Sequence, residues 1–322
     1  MKYSYESDIR AHIIGLIRQK RADGYSYTTE EYHLKKLDEF YLAFFPGETS
    51  VTRDIAAKWA EIRPTEGENY RNSRVRILRQ LSLYILSLGF DAYVPRNIGK
   101  VVKTVLYIPS REEMTAFFNK LDSWKPVRYC GRTVQGYKVL FRLYYCCGLR
   151  SSEARLLKKE DVDFDRGILT IYKSKGYKDR LVYLPPDGKE VLYDYLSFTE
   201  KAASHSPWLF PGHDVSRPIS TRAIQLRFAD CWNKLPFATS TDKRPSPHCL
   251  RHAFVVERMN DWMRKGRDMQ ALLPYLSKHL GHKSPSETFY YYHLVNNAFD
   301  VIKAKDKVSD RIIPEVLDYE DI

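Results

Sequence analysis

The sequence predicts a mainly α protein with one small antiparallel β-sheet: an N-terminal helical bundle followed by a larger α+β domain. Apolar residues recur at helical spacing along most of the chain, whereas the window 162–184 alternates apolar and polar residues around two turns. Between them, over residues 91–109, Pro95, Gly99 and Pro109 interrupt the pattern and helical periodicity stops, which sets a boundary.

The elements follow in order. Ile9, Ile13, Ile14 and Ile17 share one face of a first helix. Thr28 with Glu31 forms a capping-box pattern opening a second helix through Leu34, Leu37, Phe40 and Phe44, which Pro46 and Gly47 close. Thr52 is placed to cap a third helix holding Ile55, Trp59 and Ile62, and a fourth covers about 70–88 and stops at Gly89. Arg96, Lys100 and Lys103 make the boundary stretch basic, an extended linker able to lie along a phosphate backbone. Ser110 and Glu113 form a second capping box. A helix over 136–147 ends at Gly148, and a short one capped by Ser151 or Ser152 follows. Three short strands then turn at Asp165-Arg166-Gly167 and Lys175-Gly176, and helices return after Pro186 up to about Lys305. The expected divisions are a helical domain over 1–95, a linker over 96–109, a second domain over 110–305 and a tail over 306–322.

Composition excludes several classes. With 322 residues the chain is long enough for two cores, and 43% apolar against 29% charged residues is a globular balance. No apolar run approaches the roughly 18 residues of a membrane span, and Glu6, Asp8 and Arg10 leave no signal-peptide core, so a cytoplasmic protein without a membrane partner is expected. A net charge of +12 points to a polyanion such as nucleic acid. The five cysteines, Cys130, Cys146, Cys147, Cys231 and Cys249, include no C-x-x-C pair and read as reduced thiols.

Five segments carry chemistry. In CCGLRSSE, Arg150 stands beside a helix N-terminus, where a planar guanidinium and backbone amides together grip a phosphate; Glu153 is placed to hold it. In YKSKGYKDRLVYLP, Lys175 falls at a hairpin tip from which an ammonium can protonate a departing oxygen, with Lys173 and Lys178 as competitors. In SPHCLRHAF, His248 and Arg251 are three apart on one helix face, while His252 is expected to pack or bond locally. SKHLGHKS presents His282 just past a helix-ending glycine, and FYYYH offers Tyr290, Tyr291 and Tyr292, of which a helix can aim only one into a site. Zinc ligation by His248 with His252, or His279 with His282, is disfavoured because H-E-x-x-H is absent and Arg251 would oppose a cation.

Together these segments resemble the tyrosine recombinase (phage integrase) family. Its pattern of an arginine in G-L-R-x-S-E, a hairpin lysine in K-G, an H-x-L-R pair, an L-G-H histidine and a tyrosine two residues before a histidine falls on Arg150, Lys175, His248 with Arg251, His282, and Tyr291 with His293. Cys249 inside the H-x-L-R pair and the aromatic neighbours of Tyr291 are the departures. The resemblance covers about 110–305 and implies a tyrosine-recombinase catalytic domain, with 1–95 as a core-site DNA-binding bundle. It implies a site-specific recombinase in which Arg150, Arg251, His248 and His282 hold a phosphate, Tyr291 forms a 3′-phosphotyrosyl bond and Lys175 protonates the departing 5′-oxygen, with neither metal nor cofactor. The implied partner is double-stranded DNA with specific short sites, bound as a tetramer in which the tail docks on another subunit. A bundle beginning almost at Met1 leaves no room for an arm-site domain. Arg71, Arg74, Arg76 and Arg79 on the fourth helix, with Lys100 and Lys103 in the linker, are candidates for phosphate contacts. A type IB topoisomerase-like activity and a noncatalytic DNA-binding protein are the alternatives.

Overall fold

The computed structural model of the chain describes residues 1–96, 106–125, 131–172, 179–238 and 245–291. The chain divides into two compact units, Met1–Val105 and Leu106–Ile322. Lys100, Lys103, Lys173, Lys175, Lys178, His293 and the tail lie outside the described residues. No helix among the described residues is long and apolar enough to cross a membrane.

The first unit holds four helices, α1 (Arg10–Ala22), α2 (Thr28–Phe44), α3 (Arg53–Ala60) and α4 (Glu68–Ser87). Their apolar faces meet in one core, with Ile13 and Ile17 from α1, Leu34 and Leu37 from α2, Trp59 from α3 and Leu78 from α4. Thr52 caps α3 as its sequence position requires, its side chain accepting the Ile55 N–H at 3.3 Å. Two local expectations fail. Thr28 and Glu31 make no capping box, because Tyr27 occupies the cap and Glu31 is buried, accepting the Lys2 N–H and an Arg21 N–H, both at 2.7 Å. Helix α3 ends at Ala60, which leaves Ile62 exposed.

The basic row on α4 is also corrected. Arg74 is only 1% exposed: its Nε and Nη2 donate to the two Glu66 carboxylate oxygens at 2.5 and 2.6 Å, and its guanidinium lies over the Trp59 ring. It is therefore a core residue and not a phosphate contact. A guanidinium buried this way needs a counter-ion, since an unpaired buried charge is costly, and the Glu66 carboxylate supplies it. Arg71 donates to the Ala60 carbonyl at 2.6 Å and Arg79 to the Pro95 carbonyl at 2.8 Å, so both tie α4 to neighbouring chain; Arg76 faces outward.

The second unit is helical around a small sheet. It comprises α5 (Arg111–Asp122), α6 (Gly131–Cys146), α7 (Ser151–Arg155), β1 (Val162–Asp163), β2 (Ile168–Ile171), β3 (Arg180–Tyr183), α8 (Pro186–Ala203), α9 (Thr221–Trp232), α10 (His248–Arg264), α11 (Met269–Leu280) and α12 (Ser286–Phe289). The Ser110–Glu113 capping box opens α5 as expected. The central helix α6 packs on α8 and α10, and Phe117, Phe141, Phe228 and Trp232 fill the core between elements. The three strands pair antiparallel in chain order, with Leu169 opposite Val182 and Ile171 opposite Arg180. Pleating buries Leu169, Ile171 and Val182, leaves Leu181 and Tyr183 outside, and so puts Arg180 on the inward face.

Glu66→Ala in the full chain should lower stability by about 3–5 kcal/mol, because it strands the Arg74 charge in the core. Arg76→Ala, on the exposed face of the same helix, should change it by less than about 0.5 kcal/mol. Equal urea midpoints for the two variants would refute the core role of Arg74.

Candidate active site

The site is assembled from loop and helix ends that the core holds in place. After α6 the chain turns at Gly148, whose φ of +63° suits glycine and where a Cβ would lie 2.5 Å from the Phe254 ring. That turn delivers Arg150 to the cap position of α7. The helix is opened by Arg150 and Glu153 and not by Ser151 or Ser152: the Glu153 carboxylate accepts the Arg150 backbone N–H at 2.8 Å.

Glu153, with its side chain 4% exposed, is the hub. Its Oε1 accepts from Arg150 Nη1 and Arg180 Nη1, each at 2.8 Å, and its Oε2 accepts from Arg180 Nη2 at 2.7 Å. Arg251, 2% exposed, stands 3.9 Å from the same carboxylate. The three guanidiniums also terminate α11. Arg180 Nε donates to the His279 carbonyl, Arg251 Nη2 to the Leu280 carbonyl and Arg150 Nη2 to the Gly281 carbonyl, at 2.7, 2.7 and 2.8 Å. These are carbonyls that a helix end leaves without intrahelical partners, and they carry the negative end of its dipole. Gly281 closes α11 at φ +65°, where a Cβ would sit 3.1 Å from the Arg180 guanidinium. Arg251 Nη1 reaches back to the Gly148 carbonyl at 2.6 Å, joining both glycine turns through one side chain.

Three guanidiniums sharing the Glu153 carboxylate leave a positive excess, and burial opposes it. Desolvation, then the charge of Arg150, pushes Arg251 down to about 10, still protonated at neutral pH. The excess faces a polar pocket of about 280 Å³ shared by Arg150, Arg251, His248, His282 and Tyr291.

The imidazoles differ in role. Arg251 can only donate, so its 3.3 Å contact from Nη2 makes His282 Nε2 an acceptor; His282 Nδ1 then carries the proton and donates to the buried Thr288 hydroxyl at 2.8 Å. Burial, followed by the Arg251 charge, pushes His282 down to about 4. His248 is exposed at the pocket, its ring edge-on to His252 with centroids 4.6 Å apart. His252, expected to bond only locally, instead places Nδ1 2.6 Å from the Tyr291 hydroxyl, across 39 residues of sequence. Burial first, then His248, Arg251 and His282, pushes it down to about 3. Burial also raises the Tyr291 phenol, while Arg251 pulls the other way.

Of the two tyrosines among the described residues, Tyr290 is 41% exposed and Tyr291 5%, so Tyr291 is the one turned inward; Tyr292 lies outside the described residues. Arg150, Arg251, His248, His282 and Tyr291 thus meet at one pocket, and Glu153 supports them; Lys175 lies outside the described residues. Sequence reasoning missed Arg180, Thr288 and the reach of His252. Inward alternation from Val182 signals the first, and the four-residue spacing from His248 signals the last.

Residues 125–297 match the phage integrase family. The chain is 30% identical over 251 residues to a putative integrase/recombinase of Sinorhizobium fredii, spanning 75% of this chain and 79% of that protein. It is 28% identical over 158 residues to the tyrosine recombinase XerC of Chlamydia caviae, spanning 49% of this chain and 46% of the relative. The Tn1549 transposon integrase, solved with a circular intermediate DNA, shares the fold at a TM-score of 0.61 and 15% identity, covering 91% of this chain and 98% of that one.

The depressed imidazoles contribute to the acid sensitivity of the fold. An unfolded histidine takes up its proton near pH 6.5, but folded His252 and His282 do so only near 3 and 4. Their contribution to stability is therefore complete above pH 6.5 and is lost as pH falls below it, by about 1.4 kcal/mol per pH unit for each group. Urea unfolding between pH 6.5 and 4.5 should show a shallower pH slope in a His252→Asn, His282→Asn double variant than in the wild type. Parallel slopes would mean that both rings protonate freely in the folded chain.

Proposed function

Because the chain belongs to the phage integrase family and is a tyrosine-type site-specific recombinase, we propose that it cuts DNA by attack of Tyr291 on a phosphodiester and rejoins it through a 3′-phosphotyrosyl intermediate. The observation that carries this assignment is the single pocket holding two guanidiniums, two imidazoles and a buried phenol. An oxygen attacking a phosphodiester approaches existing negative charge and builds more, so donors fixed in advance stabilise the transition state most.

In the proposed step Arg150 and Arg251 hold the nonbridging oxygens and His248 adds a hydrogen bond from the pocket mouth. A phosphate oxygen that takes Arg251 Nη2 releases His282 Nε2, letting that ring rearrange to donate as well. The Tyr291 Oη–phosphorus bond forms as the bond to the 5′-oxygen breaks. Lys175 is the proposed source of the proton for that oxygen. A 5′-hydroxyl from a second strand then displaces the phenol. The phosphotyrosyl ester conserves the energy of the bond it replaced, so rejoining needs no high-energy cofactor.

Glu153 and Arg180 are positioning residues in this reading. The substrate is double-stranded DNA with specific short sites, met in the cytoplasm by a chain of net charge +12. On the first unit Arg76 is the exposed α4 arginine proposed to reach phosphate, and Lys100 and Lys103 are further proposed contacts. Exchange between two duplexes calls for four active sites, so a tetramer on DNA is proposed, its subunits joined by residues 306–322 docking in trans.

A pool of nicked duplexes of random sequence should yield DNA covalently captured by the protein, and sequencing that DNA identifies the site. On the captured sequence, Tyr291→Phe should abolish the adduct while Tyr290→Phe and Tyr292→Phe retain it. Arg150→Ala should slow adduct formation about 10²–10³-fold. Adduct surviving in Tyr291→Phe, or no adduct from the wild type on any sequence, would overturn the reading.

A further inference from the structure

Attack by a phenol requires that its proton leave, and the hydrogen bond at the Tyr291 hydroxyl names the acceptor. His252 Nδ1 lies 2.6 Å from Tyr291 Oη, and both side chains are buried, at 7% and 5% exposure. The ring planes are tilted by 38° with centroids 5.5 Å apart, so the contact runs through the edge bearing Nδ1 rather than through stacking. The other imidazoles are committed elsewhere. His282 accepts from Arg251 and donates to Thr288. His279 donates from Nε2 to the Cys147 carbonyl at 2.9 Å and stacks on Phe254. His248 meets His252 edge-on and stands exposed at the pocket.

We propose that His252 is the base of the cleavage step: Nδ1 takes the Oη proton as the Tyr291 Oη–phosphorus bond forms and the bond to the 5′-oxygen breaks, the departing oxygen being protonated by the general acid. In rejoining, the incoming 5′-hydroxyl gives its proton back to the general acid as its oxygen bonds to phosphorus and the bond to the phenolate breaks, and Nδ1 returns its own proton to Tyr291 Oη. The inference rests on Tyr291 being the nucleophile.

Without DNA the pair is at rest. Burial raises the phenol, while burial and the neighbours His248, Arg251 and His282 hold the imidazole down, so the proton stays on oxygen and His252 is neutral with its own hydrogen on Nε2. Those neighbours lie on α10 and in the turn after α11 and are cationic or proton-bearing. A phosphate bound between Arg150 and Arg251 brings negative charge into that field, and the transition state brings more. Each increment favours imidazolium at His252. The base thus gains strength only when its substrate is in place, which protects the phenol from ionising in a site that holds no DNA.

The test uses the full chain and a nicked duplex of the sequence recovered by covalent capture. His252→Asn keeps an oxygen acceptor near the Nδ1 position but cannot take a proton. Adduct formation should slow by about 10²-fold or more, as for loss of a general base, with noncovalent duplex binding unchanged. Introducing 3,5-difluorotyrosine at position 291, a phenol that ionises more readily, should shrink the penalty of His252→Asn to less than about tenfold, because a weaker acid needs the base more. A penalty that is the same with tyrosine and difluorotyrosine, or activity near wild type in His252→Asn, would overturn the proposal in favour of mere orientation of the phenol. Should His252→Asn lower the urea midpoint, the comparison of the two phenols within that variant still decides, since both share the same fold defect. Adduct formation by Tyr291→Phe would instead count against the nucleophile assignment itself.

Discussion

The buried Glu153 carboxylate, shared among three guanidiniums, is the constraint on which the site depends. A carboxylate at 4% exposure is tolerable only if its lone pairs are filled, and Arg150 and Arg180 fill them. The arginines in turn need acceptors beyond one carboxylate, and they find them on three successive carbonyls at the end of α11. The start of α7, the first residue of β3, the first turn of α10 and the last turn of α11 are thereby fixed relative to one another by charge-assisted hydrogen bonds at 2.7–2.8 Å. The apolar core brings these elements near each other, but the ionic network decides their register at the pocket.

The same network leaves positive charge in excess, and in the proposed function that excess serves to bind phosphate. Arg150, Arg180 and Arg251 meet the Glu153 carboxylate and the partial charge of a helix C-terminus, so the cluster stays electropositive. Glycines at 148 and 281 permit the tight approach: each lies at positive φ, and at each a side chain would meet a group of this cluster or of the core behind it.

Much of the fold was legible because its signals are local. The Thr52 cap, the Ser110–Glu113 box and the alternation in β2 and β3 depend on residues within a turn or two of each other. The principal site residues were legible through their motifs, and Arg150, Arg251, His248, His282 and Tyr291 do converge. What escaped depends on partners distant in sequence. Arg74 looks like one of a basic row, yet Glu66 and Trp59 claim it for the core. Glu31 has the spacing of a cap, yet Lys2 and Arg21 take it. Arg180 follows a run of lysines in the sequence, and no local rule pairs it with a carboxylate 27 residues earlier.

His252 shows why proximity in sequence misleads at such sites. Next to Arg251 on α10, it points a helical step away from it and so cannot share the same phosphate-facing direction. That offset gives the two side chains different partners, since Arg251 addresses the carbonyls of Gly148 and Leu280 while His252 addresses the phenol. In the proposed reaction these two adjacent residues serve opposite ends of one bond-forming event, one stabilising charge where it accumulates and the other standing where a proton must leave. Because the guanidinium also depresses the imidazole, the two are coupled electrostatically. Neutralising the first by substrate necessarily strengthens the second, so positive charge and basicity, which oppose each other in the free protein, act together once phosphate is bound.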